Sequence, residues 1–174
     1  MQNKKRNILF SEAVIKNRIS ELGKEISKDY KGKKLYILSL LRGSFIYAAD
    51  LARAIDSNAK IGFMTTSSYG NSETSSGNVK IINDIPDDIA GWDILIVDDI
   101  VDTGITMEFV VNHVKSLNPA SVKSCVLLDK PSRRKVNINP DYCCFEIDDV
   151  FVVGYGLNYG DYYRNIPYVF NWEN

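Results

Sequence analysis

The chain has 174 residues, of which 45% are hydrophobic and 25% are charged, and its formal net charge at pH 7 is −1. These values are typical of one globular domain with a substantial core. The near-neutral charge argues against general nucleic-acid binding, and no apolar run approaches the roughly 20 residues that span a bilayer.

The hydrophobic pattern predicts an alternation of helices and strands. A first helix begins after the candidate N-cap Ser11 and ends at about Lys28. Its apolar face consists of Ile15, Ile19, Leu22 and Ile26. In chain order, the elements predicted after it are a strand at 34–40, a helix at 45–55, strands at 61–67, 79–82 and 93–97, a helix at 106–117, and strands at 122–128, 142–145 and 151–153. The polar stretch 69–78 is predicted as a mobile loop.

This order of elements is typical of an α/β fold built on a doubly wound parallel sheet. Polar or glycine-bearing turns follow the predicted strands at 42–44, 67–70, 98–106 and 129–130. Ligands of such sheets bind at the carboxyl ends of the strands. We therefore expect these turns to form one site.

The segment 98–107 carries Asp98, Asp99 and Asp102 and a Thr-Gly-Ile-Thr turn between a predicted strand and a predicted helix. The start of a helix favours phosphate, whereas carboxylates favour a sugar diol or Mg²⁺. A helix capped by Asp102 or Thr103, with surface charge beside it, is the simpler alternative. The residues together favour a phosphorylated sugar as the ligand.

Other reactive residue types give weaker signals. The three cysteines, Cys125, Cys143 and Cys144, lack metal-ligand spacing and lie in apolar segments, which favours buried, reduced thiols. The single histidine, His113, falls within a predicted helix, where packing or a surface role is favoured over catalysis.

The basic segment 1–6 is not followed by a signal-type apolar segment, so we expect a cytoplasmic protein. Its lysines and arginine at 4–6 are predicted to be solvated surface. A second basic cluster, at 133–135, lies close to one of the motifs below.

The segment 97–106, Val-Asp-Asp-Ile-Val-Asp-Thr-Gly-Ile-Thr, resembles the 5-phosphoribosyl pyrophosphate (PRPP) motif of type I phosphoribosyltransferases, and within them the hypoxanthine-guanine branch. Further stretches match that branch in order at 41–45, 67–70, 127–131, 151–157 and 163–167. The resemblance covers nearly the whole chain. It implies a type I phosphoribosyltransferase fold, in which a central, mostly parallel sheet is flanked by helices. It also implies a single domain over 1–174, with a small hood from about 1–30 and 135–174.

The resemblance implies a purine-salvage reaction. N9 of a 6-oxopurine attacks C1 of PRPP, pyrophosphate leaves, and hypoxanthine and guanine yield IMP and GMP. The implied cofactor is Mg²⁺, and the implied assembly is a homo-oligomer, either a dimer or a tetramer. No nucleic acid or membrane partner is expected.

The resemblance also implies roles for residues of the PRPP site. Asp98 and Asp99 would hold the ribose hydroxyls directly or through the metal, and Asp102 would accept the proton from purine N7. The 5′-phosphate would be held by Thr103, Gly104, Ile105, Thr106 and Met107. Pyrophosphate would be bound by Arg42, Gly43 and Arg164.

A further set is implied at the purine and at the cover of the site. Lys130 would donate to the 6-oxo group, Phe151 would stack on the base, and the backbone of Val152 would contact its edge. Asn158 lies in the same motif, and Ser68 and Tyr69 open a loop that closes over the site in the family.

The chain departs from the commonest family pattern at three positions. Arg42 replaces a lysine, Asp98 replaces a glutamate, and Asn158 replaces an aspartate that helps bind magnesium. The loss of charge at Asn158 predicts a weakly held second metal. Two alternatives stay open: a xanthine-preferring transferase, and a regulator of the same fold that binds RNA.

Overall fold

A computed structural model describes residues 5–68 and 79–173. Six strands form a central sheet in the order β4-β3-β2-β5-β6-β7, in which β4 alone runs antiparallel to its neighbour. The strands and helices are β1 Arg6–Phe10, α1 Glu12–Asp29, β2 Leu35–Leu41, α2 Phe45–Ala54, β3 Lys60–Ser68, β4 Val79–Asn83, β5 Asp93–Val101, α3 Ile105–Ser116, β6 Ser121–Asp129, β7 Tyr142–Glu146 and β8 Val169–Trp172. The predicted mobile loop 69–78, with Tyr69, lies outside the described residues.

The central strands are buried on both faces, which explains their nearly unbroken apolar sequences. In β5, Leu95 and Val97 pack toward α1 and α2, whereas Ile94 and Ile96 pack toward α3. The apolar face predicted for α1 is confirmed, since Ile15, Ile19, Leu22 and Ile26 are all buried. Helices therefore cover both sides of the sheet, as the doubly wound prediction requires.

The parallel strands β2 and β5 lie where the order of strands reverses: successive strands are added toward one edge of the sheet from β2 and toward the other edge from β5. From β2 the chain passes through α2 to β3 on one side, and from β5 it passes through α3 to β6 on the other side. The two crossovers leave a crevice beyond the carboxyl ends of β2 and β5, which is where ligands bind in sheets of this kind.

The strand β5 is longer than the prediction, which ended it at Val97. Asp98 pairs with Val126 of β6, and the ladder continues to Val101 opposite Asp129. The acidic pair therefore belongs to the strand, not to the turn after it. The parallel partner β6 supplies the backbone hydrogen bonds that keep these polar residues extended.

A second sheet, which the helix and strand prediction missed, joins the ends of the chain. β1 pairs antiparallel with β8, from Arg6 opposite Trp172 to Phe10 opposite Val169. The strand predicted at 151–153 is wrong, because among the described residues it is represented only by an isolated bridge between Val153 and Phe170. Its apolar sequence reflects burial of Val153 under β8, without a strand ladder.

Three further predictions concern the cysteines, the histidine and membrane-spanning segments. Cys125 and Cys144 are buried, Cys143 is partly buried, and all three thiols are free. The ring of His113 lies 2.8 Å from Asp84 Oδ1, on the surface. None of the helices in the described part of the chain is long and apolar enough to cross a membrane.

Candidate active site

A cleft of about 250 Å³ lies beyond the carboxyl ends of β2 and β5. Its walls come from the end of β2, the turn after it, Thr66 of β3, the last residues of β5, and the start of α3. The predicted site residues that line it are Gly43, Asp98, Asp99, Asp102, Thr103, Gly104, Thr106 and Met107. The fold therefore brings the turn at 42–44 and the acidic segment into one cavity, although about fifty-five positions separate Gly43 from Asp98.

The start of α3 forms one end of the cleft. The helix is capped by Gly104, with φ of 84°, and neither Asp102 nor Thr103 occupies the N-cap. Thr103 Oγ1 accepts a hydrogen bond of 3.4 Å from the backbone N–H of Ile105. The next N–H groups point along the helix axis without intrahelical acceptors, which gives this end of the cleft partial positive charge.

Asp98 and Asp99 form an acidic pair in the centre of the cleft. Asp98 Oδ1 accepts the backbone N–H of Asp99 at 2.9 Å, and Asp99 Oδ1 accepts that of Ile100 at 2.9 Å. Removal from water and repulsion by Asp99 raise the pKa of Asp98 well above its usual range. Burial also raises the pKa of Asp99, against the opposing charge of Arg164. A cation bound between them would relieve this penalty.

These carboxylates fit a magnesium ion shared with a ligand. The described residues contain no group of three or more His, Cys, Asp or Glu side chains that could hold a metal. Magnesium prefers oxygen ligands, and commonly takes one or two from protein carboxylates and the rest from phosphates and water. Asp98 and Asp99 supply that smaller share.

Two of the residues predicted for pyrophosphate, Gly43 and Arg164, lie close to Asp99. A Cβ atom on Gly43 would lie 1.7 Å from Asp99 Oδ2, and one on Gly156 would lie 2.1 Å from the Gly43 carbonyl oxygen. Arg164 Nη1 donates to the Gly156 carbonyl at 2.7 Å. The Leu41–Arg42 peptide bond is cis, and Arg42 is exposed just before Gly43. The fold thus packs turns that are distant in sequence against the acidic pair.

Asp102 is bonded by one cationic side chain and feels the charge of a second. Arg133 Nε donates to Asp102 Oδ1 at 2.7 Å. Lys130 follows β6, is only 7% exposed, and donates its backbone N–H to the Val101 carbonyl at 2.9 Å. Burial lowers the pKa of Lys130, while the charge of Asp102 opposes that shift.

The segment 133–135 lies along the acidic turn, and sequence reasoning assigned it no role in the site. Arg134 donates to the Asp102 carbonyl at 2.7 Å, and the Lys135 N–H donates to the Thr103 carbonyl at 2.9 Å. Arg134 also pairs with the buried carboxylate of Asp129. The sequence feature that could have indicated these contacts is the basic cluster at 133–135, which lies close to the motif containing Lys130.

Phe151 stands on an aromatic cluster close to the chain end. Its side chain is 58% exposed, although its ring stacks on Trp172 with centroids 6.3 Å apart and an angle of 13°. Tyr159 packs edge-on against both rings. The neighbouring Val152 is buried. An exposed ring with a rigid backing can stack on a planar ligand.

Among the residues whose side chains the structure describes, the predicted site residues that do not line this cleft are Arg42, Ile105, Lys130, Phe151, Val152, Asn158 and Arg164. The side-chain amide of Asn158 donates to the carbonyl of Gly160 within its own turn. Ser68 is the last residue of β3, two positions beyond the cleft residue Thr66. Tyr69 lies outside the described residues.

Comparisons with known proteins agree with this geometry. The phosphoribosyl transferase domain family matches residues 7–160. The chain is 48% identical over 164 residues to the hypoxanthine phosphoribosyltransferase of Buchnera aphidicola, covering 93% of each chain. It is 45% identical over 175 residues to the hypoxanthine-guanine phosphoribosyltransferase of Aquifex aeolicus, covering 100% of this chain and 98% of that relative.

A solved structure shows the same similarity in three dimensions. The crystal structure of a hypoxanthine phosphoribosyltransferase from Staphylococcus aureus superposes with a TM-score of 0.94 at 40% identity. The superposition covers 99% of this chain and 93% of that chain.

Proposed function

The chain belongs to the phosphoribosyl transferase family, and we propose that it is a purine-salvage enzyme that transfers the 5-phosphoribosyl group of PRPP to N9 of hypoxanthine, and also of guanine. The products are IMP or GMP and pyrophosphate. One observation carries the proposal: a paired carboxylate site, a helix N-terminus and an aspartate flanked by a buried lysine open into a single crevice.

The cleft has a partially positive region at the start of α3 and an acidic region at the end of β5, and PRPP carries groups that suit both. The 5′-phosphate binds the N–H groups at the start of α3 and the hydroxyls of Thr103 and Thr106, because this end is partially positive. The ribose hydroxyls face Asp98 and Asp99, whose oxygens accept hydrogen bonds from a diol. Pyrophosphate lies toward Gly43, with Arg42 and Arg164 offsetting its charge.

Mg²⁺ is the cofactor in this proposal, and when bound it neutralises charge on the departing pyrophosphate. Asp98 and Asp99 would hold it and orient the ribose. Asn158 offers only a neutral amide oxygen, so the residues at the purine side bind any second ion weakly.

The transition state of the transfer carries positive charge on the ribose, and the carboxylates at the end of β5 stabilise that charge. Asp102 acts as the general base. As N9 attacks C1, the bond to pyrophosphate breaks, and Asp102 takes the proton from N7. Lys130, held beside Asp102, donates to the 6-oxo group.

This lysine gives the purine preference a physical reason. An ammonium group donates but cannot accept, so it pairs with a 6-oxo group and is mismatched with the 6-amino group of adenine. Phe151 stacks on the base, and the backbone of Val152 contacts its edge.

A spectrophotometric assay tests the proposal. The purified protein is mixed with PRPP and Mg²⁺ and then with hypoxanthine, guanine, xanthine or adenine. Turnover is expected with hypoxanthine and guanine. A clear preference for xanthine would replace the proposed substrate, and adenine as the best base would overturn the role of Lys130.

We further propose that the enzyme works in the cytoplasm as a homo-oligomer and that its active site needs no nucleic acid or membrane partner. The division into a core and a hood from about 1–30 and 135–174 is consistent with the pairing of β1 with β8. Light scattering on the purified protein measures the assembly directly.

A further inference from the structure

The side chain of Arg133 joins two walls of the proposed purine site. Its Nε donates to Asp102 Oδ1 at 2.7 Å, and its Nη1 donates to both carboxylate oxygens of Asp149 at 3.2 Å. Asp149 stands two residues before Phe151. One guanidinium therefore bridges the aspartate at the end of β5 and the loop that carries the exposed aromatic ring.

Arg133 differs from the next two residues in the group that its side chain bonds. Arg134 and Lys135 bond the backbone carbonyls of Asp102 and Thr103, so they fix the course of the turn. Arg133 instead bonds the Asp102 carboxylate. Without it the turn would keep its backbone contacts, while the carboxylate would be free to rotate.

Within the part of the chain that the structure describes, one oxygen of Asp102 is bonded and the other is not. Arg133 takes Oδ1, and no side chain or backbone group of residues 5–68 or 79–173 bonds Oδ2. A carboxylate held by one oxygen presents the other in a defined direction, and a positioned acceptor is what proton transfer requires.

We propose that Arg133 is a positioning residue that aims Asp102 Oδ2 at purine N7 and ties it to the loop carrying Phe151. The inference rests on the proposed function, because it gives Asp102 the role of base. Arg133 orients the acceptor and does not touch the substrate. Asp149 serves as its second anchor and sets the position of the guanidinium.

The ion pairs of Arg133 are half-exposed, with 38% of the side chain accessible on Arg133 and on Asp102. Pairs of this kind add little to stability. Loss of Arg133 should therefore affect turnover more than folding, which separates a positioning role from a merely structural one.

The test compares R133M, R133K, D149N and the R133M/D149N double variant with the wild type, using PRPP, Mg²⁺ and hypoxanthine. We expect R133M to lower kcat about tenfold or more, since misplacing a reacting group by an ångström costs up to roughly a hundredfold. The KM for PRPP should stay within about twofold, because the turn that holds PRPP keeps its backbone contacts. R133K should recover part of kcat, and D149N should lower it less than R133M.

The double variant decides whether the two residues act together. If Asp149 acts through Arg133, adding D149N to R133M should change kcat little further. The control is R53Q, which removes an exposed arginine paired with Asp50 and distant from the cleft, and it should behave as wild type.

Several outcomes would overturn the inference. They are an R133M variant with wild-type kcat, a variant altered only in its melting temperature, and independent multiplication of the R133M and D149N effects. If the wild type turns over no purine, the proposed function itself fails. If the wild type is active and R133M has the same kcat, the role of Arg133 alone fails.

Discussion

At the residue scale, Asp102 has two cationic neighbours with different exposure. Lys130 is buried and faces the purine in the proposed reaction, whereas Arg133 is half-exposed and reaches across to Asp149. The hydrogen bond with Asp149 and the charge of Asp102 raise the pKa of Arg133, so its guanidinium stays protonated. The environment of Asp102 therefore includes a direct ion pair with Arg133 and the nearby charge of Lys130.

Replacement of Asp102 by asparagine tests its role as base. The change keeps the shape and the turn contacts but removes the proton acceptor. We expect kcat to fall by roughly a hundredfold or more while PRPP binding is retained, since general bases contribute about 10² to 10⁴ in rate. Steady-state kinetics together with PRPP titration by calorimetry measure both quantities. Near-normal turnover would remove Asp102 from this role.

Replacement of Lys130 by alanine tests purine recognition. The lost charged hydrogen bond is worth about 1.5–3 kcal/mol, so the KM for hypoxanthine should rise roughly ten- to a hundredfold. The KM for PRPP should change much less, because Lys130 does not line the phosphate end of the cleft. A competition assay with both substrates varied measures the two effects. A larger rise in the KM for PRPP than in the KM for hypoxanthine would contradict the assignment.

The neutral side chain at Asn158 predicts a high magnesium requirement. Asn158→Asp adds a carboxylate at the proposed metal-binding position, so half-maximal activity should need less Mg²⁺. Activity is titrated with Mg²⁺ for both proteins at fixed PRPP. If the curves coincide, the amide at this position does not limit metal binding.

At the element scale, the site depends on turns that approach each other without side chains between them. Gly43 follows β2, and Gly156 belongs to the turn after Val153. A Cβ on Gly43 would clash with the Asp99 carboxylate, and a Cβ on Gly156 would clash with the Gly43 carbonyl oxygen. This close packing brings Arg164 toward Asp99. The proposed pyrophosphate end of the cleft is therefore formed by close contacts between elements.

Gly156→Ala is expected to disrupt that packing. Its φ is +99° and its Cβ would meet the Gly43 carbonyl oxygen at 2.1 Å. We expect a loss of stability of at least about 2 kcal/mol, from strain and displacement of the turn, and a raised KM for PRPP. Thermal unfolding and kinetics measure the two effects.

Gly91→Ala is the matched control for this change. Gly91 also has a positive φ, of +73°, but a Cβ there would meet no atom within 4 Å. It should cost about 1 kcal/mol from backbone strain alone and leave the KM for PRPP unchanged. An equal loss in the two variants would contradict the clash at Gly43.

At the scale of the whole molecule, two carboxylates link separate elements and have lowered pKa values. A hydrogen bond from Tyr142, 2.6 Å long, lowers the pKa of Asp29 and joins the end of α1 to β7. Hydrogen bonds from Lys60 at 2.6 Å and Tyr36 at 2.8 Å lower the pKa of Asp87. These links favour the folded state while the carboxylates are ionised.

The sign of the pH dependence follows from these shifts. A carboxylate with a lower pKa in the folded state stabilises it above the unfolded pKa of about 3.9, and the contribution is lost as pH falls through the folded value. The melting temperature should therefore drop between about pH 5 and pH 3, and drop less in the D29N/D87N variant. Asp56→Asn, at an exposed carboxylate, is the control and should leave the slope unchanged. Equal slopes in all three proteins would exclude these links as a source of acid sensitivity.

The sequence predicted most of the central sheet because those strands are buried on both faces and read as apolar runs. It failed at 151–153, where an equally apolar run is buried beneath β8 without a strand ladder. It also ended β5 too early, since Asp98 and Asp99 look like turn residues. Their extended conformation depends on β6, which is a partner more than twenty positions away.

The sequence by itself determined the fold class, the family resemblance and the chemical character of the acidic turn, because periodic burial and local motifs are properties of short segments. Only the tertiary structure decided that Arg133 holds Asp102 and that Gly43, Gly156 and Arg164 gather around Asp99. Such contacts join residues that are tens of positions apart. Their geometry is fixed by the packing of whole elements, which no local pattern in the chain records.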